Sequence, residues 1–441
     1  MRTFSLLPSL AALSALLSTG VHAQQSPQTP PPQPKQVNYD EAAIPPYSLP
    51  ELLMTPAGVE VKTATDWIQK RRPAVLSLYE QHVFGKSPTQ WGKVVFETLA
   101  LKKDALEGKA TRKLVRISLA DYPKWQGLEV MLYIPNEAKG PVPCFVGPNF
   151  GGNHAVTGET DVPLSSRWMR QGKDEAVVNN RATDKGRGTE AKRWPLDLAM
   201  SEGFAVATYY YGDVEPDHPD GWKEGLRGAM SKNGSQTEWR EGDWGAIGAW
   251  AWGLSRIADY LATEPTVDAK KLAVIGHSRL GKTSLWAGAQ DRRFRVVVSN
   301  NSGEGGAALM RRNIGETTAV ITKAFPHWFT KTYSSYANNE SACPVDSHML
   351  VALAAPRAVY IASAVEDRWA DPKGEFLSGL HAEPAFNLFG KKGYGVTEQP
   401  AIDTPVGDTV AYHIRTGIHD VTRYDWEQYL KFARRHFSQA E

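Results

Sequence analysis

The sequence predicts an α/β protein: a three-layer αβα sandwich around a mostly parallel sheet, with antiparallel strands at one edge. Two observations carry this. From about residue 142 onward, short β-branched runs alternate with stretches of helical periodicity, as parallel strands joined by crossover helices do. Before them, Val94–Leu101 and Lys113–Leu119 alternate apolar and polar residues, as half-exposed antiparallel strands do, and Leu128–Ile134 continues that edge. Composition agrees: 441 residues, 41% hydrophobic and 22% charged, suffice for a sizeable core in one domain.

The elements follow in order. Arg2, the apolar run Leu6–Leu17 and Val21-His22-Ala23 read as a signal peptide over residues 1–23, so the mature chain is expected to be secreted or periplasmic. The run is too short for a bilayer span and no other long apolar stretch exists, so no membrane partner is expected. Residues 24–46, rich in Gln and Pro, are expected to form an extended linker. A single catalytic domain is expected over 47–441. Thr65–Phe84 has a helix-like pattern interrupted at Pro73. Val142–Val146 is a buried strand that runs into the glycine-rich loop Gly147–His154. That loop is either a plain turn or a source of oxyanion donors. Two polar insertions are expected near 157–192 and 213–240; loops of that length in compact domains usually serve a site. Between them lie a helix at Pro195–Ser201 and a strand at Phe204–Tyr210. Asp243–Thr263 is helical, with Trp244, Ile247, Trp250, Leu254, Ile257 and Leu261 at core spacing. Phe294–Val298, Ala358–Ser363 and Val410–Ile414 are the later strands, and Asp425–Phe437 the final helix.

Charge and cysteines exclude several functions. The net charge of +2 gives no electrostatic footprint for nucleic acid. The two cysteines, Cys144 and Cys343, are too far apart for a zinc knuckle, and no H-E-x-x-H occurs, so neither metal nor cofactor is expected. Sequence alone leaves their pairing open. A monomer is the default expectation.

The most informative stretch is Leu272-Ala273-Val274-Ile275-Gly276-His277-Ser278-Arg279-Leu280-Gly281-Lys282. The apolar run reads as a buried strand, Gly276 and Ser278 as a sharp turn, and Thr283–Ala289 as a helix. Strand, serine turn and helix form the nucleophile elbow of α/β-hydrolases. The second glycine stands one place later than in the usual G-x-S-x-G. A serine hydroxyl needs a base, and the base a carboxylate to orient it. In this fold the chain order is Ser, acid, His. Of the 11 histidines, His419 follows the last strand and precedes the last helix, where the base belongs. His327, His348, His381 and His436 read as surface histidines. The acid is Asp367 or Glu366, just past strand Ala358–Ser363, or Glu304 after the preceding strand; spacing alone leaves these open.

These motifs resemble the glucuronoyl esterases, carbohydrate esterase family 15. The resemblance rests on Gly276-x-Ser278-Arg279-x-Gly281-Lys282, Asn301-Ser302-Gly303-x-Gly305-Gly306, Glu366-Asp367-Arg368-Trp369-Ala370-Asp371-Pro372 and His419. It implies a serine esterase that cleaves, through an acyl-enzyme, the ester between 4-O-methyl-D-glucuronic acid of glucuronoxylan and lignin alcohols. It implies Ser278 as nucleophile, His419 as base and Arg279 as oxyanion donor through its amide and side chain. Lys282, Glu316 and Trp369 would hold the glucuronate ring. Fungal members carry Glu directly before the Ser-Gly, where this chain has Asn301; Asn cannot balance an imidazolium, which favours Asp367 as the acid. His277 stands where fungal members have cysteine, as a structural or pocket-wall residue. The alternatives are an acetyl-xylan or other carbohydrate esterase with the same triad, and a non-catalytic carbohydrate-binding protein on this fold.

Overall fold

The structure, a computed structural model, describes residues 37–172, 174–231, 239–240 and 242–438. The expected signal peptide and residues 24–36 of the expected linker lie outside them. The sheet is built from β1 (Val94–Ala105), β2 (Ala110–Leu119), β3 (Leu128–Pro135), β4 (Val142–Asn149), β5 (Ala205–Tyr210), β6 (Val267–His277), β7 (Phe294–Asn300), β8 (Ala358–Ala364), β9 (Val406–Gly407) and β10 (Val410–Arg415). Their spatial order is β1-β2-β3-β5-β4-β6-β7-β8-β10-β9. The run from β5 to β10 is parallel, and β1, β2, β3 and β9 join antiparallel. This is the mostly parallel sheet with antiparallel edge strands that the alternation of strand and helix patterns predicts, in the α/β-hydrolase architecture that the serine elbow predicts.

Period-two alternation divides the strands between two cores. Val274, Val297, Val359 and Ile361 point to one face, and Ala273, Ile275, Val296, Val298 and Tyr360 to the other. The first face is covered by α2 (Ala246–Leu261), α3 (Arg279–Gln290) and α4 (Pro372–Asn387), with Trp250, Trp286 and Phe376 buried in it. The second is covered by Leu196–Ser201 and α5 (Arg423–Ser438), through Trp426, Tyr429 and Phe432. The remaining long helix, α1 (Arg72–His82), has Pro73 in its first turn. Trp67–Arg71 before it is a π turn, a widening that accommodates the ring and its missing N–H.

Sequence patterning misses α4, whose apolar residues make no clear stripe and which contains Pro384. Three of the histidines read as surface residues are buried: His327, His348 and His436. Each finds an acceptor from another segment, in Asp217, the Pro50 carbonyl and the Asp408 carbonyl. Both cysteines are buried free thiols. Residues 37–46, the described end of the expected linker, are held down. The Asn38 carbonyl accepts from the Gly315 amide at 2.9 Å, the Tyr39 carbonyl from Arg368, and Glu41 pairs with Arg312. No described helix is long and apolar enough to cross a membrane.

Sheet register positions the site. His277 of β6 pairs with Asn300 of β7, Asn300 with Ala362 of β8, and Ala364 with Arg415 of β10. Asn149 of β4 pairs with Tyr210 of β5. The loops after all six strands therefore open at one carboxyl edge, carrying residues 150–156, 211–217, Ser278, Asn301, Asp367 and His419.

Candidate active site

Ser278 sits at φ 57°, ψ −129°. This left-handed backbone is rare for a side-chain-bearing residue and costs about 1–3 kcal/mol, which the surroundings must supply. They do: the Ser278 amide donates to Asn300 O at 2.9 Å, and its carbonyl accepts from Gly281 and Lys282 at 2.8 and 3.2 Å. A Cβ on Gly276 would lie 1.8 Å from Leu280 O, so the turn closes only on glycine there. A Cβ on Gly281 would lie 2.9 Å from Ser302 Cβ. The late second glycine is thus required by contact with the loop after β7, while Leu280 is buried in the core. Arg279 opens α3, whose positive N-terminal end meets any oxyanion formed at the elbow.

His419 lies beside this turn, its ring 4.4 Å from that of His277. Its Nδ1 is 2.5 Å from Asp367 Oδ2, and Asn301 Nδ2 donates to the same oxygen at 2.8 Å. A carboxylate accepting at Nδ1 places the proton there and leaves Nε2 with a lone pair, the tautomer a general base needs. Asn301 therefore touches the acid, not the imidazole. Glu366 is exposed, with its amide donating to Gly417 O. Glu304 is buried elsewhere, accepting from Thr318 Oγ1 at 2.6 Å and Tyr333 OH at 2.7 Å. Of the three carboxyl groups the sequence leaves open, Asp367 is the one on His419.

The loop carrying Asn301 is tied from below. Glu375 of α4 accepts from the Ser302 and Gly303 amides at 2.7 and 3.0 Å and from Ser363 Oγ at 2.6 Å. Burial pushes its carboxyl up to about 8 despite those bonds. Sequence reading misses Glu375 because it misses its helix.

Arg279 is held by a set of residues to which the sequence gives no signal. Its guanidinium donates through Nη1 to Asp217 Oδ2 and lies 4.7 Å from the Trp328 ring, 5.5 Å from Phe325 and 5.7 Å from Phe150. Phe325 and Trp328 stack on each other at 3.8 Å. In the glycine-rich loop three amides are bonded within the fold: Phe150 N donates to Glu190 Oε2 at 3.3 Å, as Gly151 N also does to that carboxylate, and Gly152 N to Asn149 Oδ1 at 2.8 Å. These bonds give the loop the form of a structured turn, and Arg279 carries the amide that follows the nucleophile.

Lys282 lies one helical turn beyond Ser278, almost fully buried, with Nζ 2.6 Å from Ser302 O and 4.0 Å from Glu316 Oε2. Burial lowers the Lys282 ammonium pKa, while Glu316, Glu304 and Glu375 oppose the shift. Burial raises Glu316, against Lys282 and a hydrogen bond from Trp369. Trp369 leaves 40% of its surface to solvent. The Glu316 amide donates to Trp369 O at 2.9 Å, which ties the two segments together. Among the described residues no group of three or more His, Cys, Asp or Glu could hold a metal ion.

A family model described as "Glucuronyl esterase, fungi" matches residues 235–390. The chain is 43% identical to "Carbohydrate esterase MZ0003", from an unknown prokaryotic organism, over 92% of this chain and 93% of that one. Its fold superimposes on a glucuronoyl esterase from Solibacter usitatus with a TM-score of 0.85, at 48% identity, covering 90% of this chain and 100% of that one. A glucuronoyl esterase of carbohydrate esterase family 15 from Teredinibacter turnerae gives a TM-score of 0.75 at 30% identity, covering 88% and 89%.

Proposed function

The chain belongs to the glucuronoyl esterases of carbohydrate esterase family 15, carboxylic ester hydrolases of α/β-hydrolase fold, and from that premise we propose its reaction. It hydrolyses the ester between 4-O-methyl-D-glucuronic acid of glucuronoxylan and lignin alcohols through a serine acyl-enzyme. The observation that carries the reading is the 2.5 Å contact of Asp367 with His419 Nδ1 beside a strained Ser278 elbow.

His419 Nε2 takes the Ser278 proton as Oγ attacks the ester carbonyl. The Arg279 amide and guanidinium stabilise the oxyanion, with the Trp328, Phe325 and Phe150 rings around the guanidinium. Collapse of the tetrahedral intermediate expels the alcohol, which takes the proton from His419. A water molecule, deprotonated by the same imidazole, then attacks the acyl carbonyl; glucuronate leaves as Ser278 Oγ takes that proton back from His419. Lys282 donates to sugar hydroxyls, Glu316 accepts from them, and Trp369 offers an indole N–H and an apolar face. The protein acts as a secreted or periplasmic monomer on a glucuronoxylan or lignin–carbohydrate ester.

The test is hydrolysis of benzyl glucuronate, compared with deacetylation of acetylated xylan. Benzyl glucuronate is expected to be cleaved and acetylated xylan not. Ser278→Ala is expected to remove turnover by several orders of magnitude while the protein stays folded. Deacetylation without glucuronate ester cleavage would make the chain a different carbohydrate esterase. A Ser278→Ala variant with near-normal rate would end the acyl-enzyme.

A further inference from the structure

We propose that Asp217 is the positioning residue for Arg279: it fixes the guanidinium at the elbow while leaving its charge available to the transition-state oxyanion. The inference rests on the reading of Arg279 as an oxyanion donor.

Asp217 is completely buried and lies in the second polar insertion, between β5 and α2. Each oxygen has its own partners. Oδ2 accepts from Arg279 Nη1 and from Tyr211 OH at 3.0 Å. Oδ1 takes Trp328 Nε1 at 2.7 Å and His327 Nε2 at 2.8 Å. Arg170, from the first insertion, adds an Nη2 contact of 3.3 Å to Oδ2 and donates to the Asp217 carbonyl at 2.9 Å. Both long insertions and the segment after Ala324 thus converge on one carboxylate.

This arrangement does two things that a plain salt bridge does not. First, the tether is single. Oδ1 is occupied by His327 and Trp328, so Arg279 does not form the bidentate fork that would neutralise it. The charge of Asp217 is shared among Arg279, Arg170, Tyr211, Trp328 and His327, which leaves Arg279 incompletely balanced. Second, the donor is preorganised. An arginine side chain has many rotamers to lose when it is fixed. Catalysis gains only if that freedom is lost before charge develops on the substrate. The Trp328, Phe325 and Phe150 rings confine the same guanidinium, and its Nε has no partner, so little else holds it. Burial alone would raise the Asp217 carboxyl; the His327 hydrogen bond and the charges of Arg279 and Arg170 hold it well below the usual carboxylate range.

A double-mutant cycle on benzyl glucuronate tests this, with Asp217→Asn, Arg279→Ala and the double variant. The Asn amide brings a donor against donors already present, so the guanidinium loses its anchor. Asp217→Asn is expected to lower kcat about 10–100-fold with KM within about threefold, and to cost less than about threefold in the Arg279→Ala background. An equal loss in both backgrounds, or an unchanged kcat in the single variant, overturns the proposal, because a merely structural aspartate would act with or without Arg279. If Asp217→Asn does not fold, Tyr211→Phe removes one donor from Oδ2 and no charge. Its expected kcat loss of about 2–5-fold must likewise vanish without Arg279. If Arg279→Ala alone changes only KM, the oxyanion reading fails. Coupling is then read in KM: its presence keeps Asp217 as the anchor of Arg279, and its absence removes it.

Discussion

Asp217 and Asp367 are both buried aspartates, each bonded to a group beside the nucleophile, yet they are furnished differently. Asp217 has Arg279, Tyr211, His327, Trp328 and Arg170 around it. On Asp367, His419 and Asn301 meet at one oxygen. The first partner is a permanent cation that must not move. The second is an imidazole, 39% exposed at its side chain, that must gain and lose a proton in each half-reaction. A crowded carboxylate divides its field and immobilises what it touches. A sparsely bonded one keeps its field for the charge that appears on His419 when Ser278 is deprotonated.

The largest expected effect breaks the sparse side. Asp367→Asn should lower kcat by roughly 10³–10⁴ with little change in KM, because the ring loses its tautomer and the counter-charge of its imidazolium. A nearly silent variant would remove Asp367 from the triad, whatever its place next to His419. The crowded side comes next. Arg279→Ala should lower kcat by about 10²–10³, the scale of other oxyanion donors, and should leave KM almost unchanged. A change confined to KM would turn Arg279 into a substrate anchor and dissolve the contrast drawn above.

Asn301→Ala sharpens the comparison with a smaller effect. It removes the second donor from Asp367 Oδ2 and leaves the His419 contact. Steady-state kinetics should show a kcat loss of about tenfold or less, the cost of one hydrogen bond. A loss as large as that of Asp367→Asn would mean that Asn301, too, belongs to the charge-bearing machinery.

Glu304 supplies the smallest effect and the control. Like Asp217 it is buried and accepts from side chains, but its hydrogen bonds come from two hydroxyls and none from a cation. Burial pushes its carboxyl up to about 8, with the Thr318 and Tyr333 bonds opposing. The folded state therefore keeps a proton that the unfolded chain gives up near the usual carboxylate value. Between about pH 5 and 8 the native state binds more protons, so this group makes stability fall as pH rises, by at most about 1.4 kcal/mol per pH unit. Urea unfolding at pH 5.5 and 7.5 should show a flatter pH dependence for Glu304→Gln than for the parent chain, with esterase kinetics unchanged. An identical slope would show that Glu304 is ionised in the fold, and that hydroxyl donors suffice where Asp217 has arginines.

What the sequence determined by itself is local. The elbow at residues 272–282 is readable because strand, turn and helix follow one another within a few residues, and period and glycine placement encode each. The parallel core is readable because β-branched runs and helical stripes alternate along the chain. Ser278 and His419 are readable because each follows a strand and register aligns the strand ends; among Asp367, Glu366 and Glu304 spacing does not choose. Tertiary structure decided the rest. Asp217 meets its partners across separations of 62, 110 and 111 residues, and no periodicity records a contact of that range. His327 reads as a surface residue until a buried carboxylate 110 residues away receives it. Glu375 lies on a helix whose apolar residues form no stripe, and Asn38–Ala43 reads as linker until Gly315, Arg368 and Arg312 hold it. A strand or a turn is written in neighbouring residues; the charge balance of a buried site depends on groups that only folding brings together.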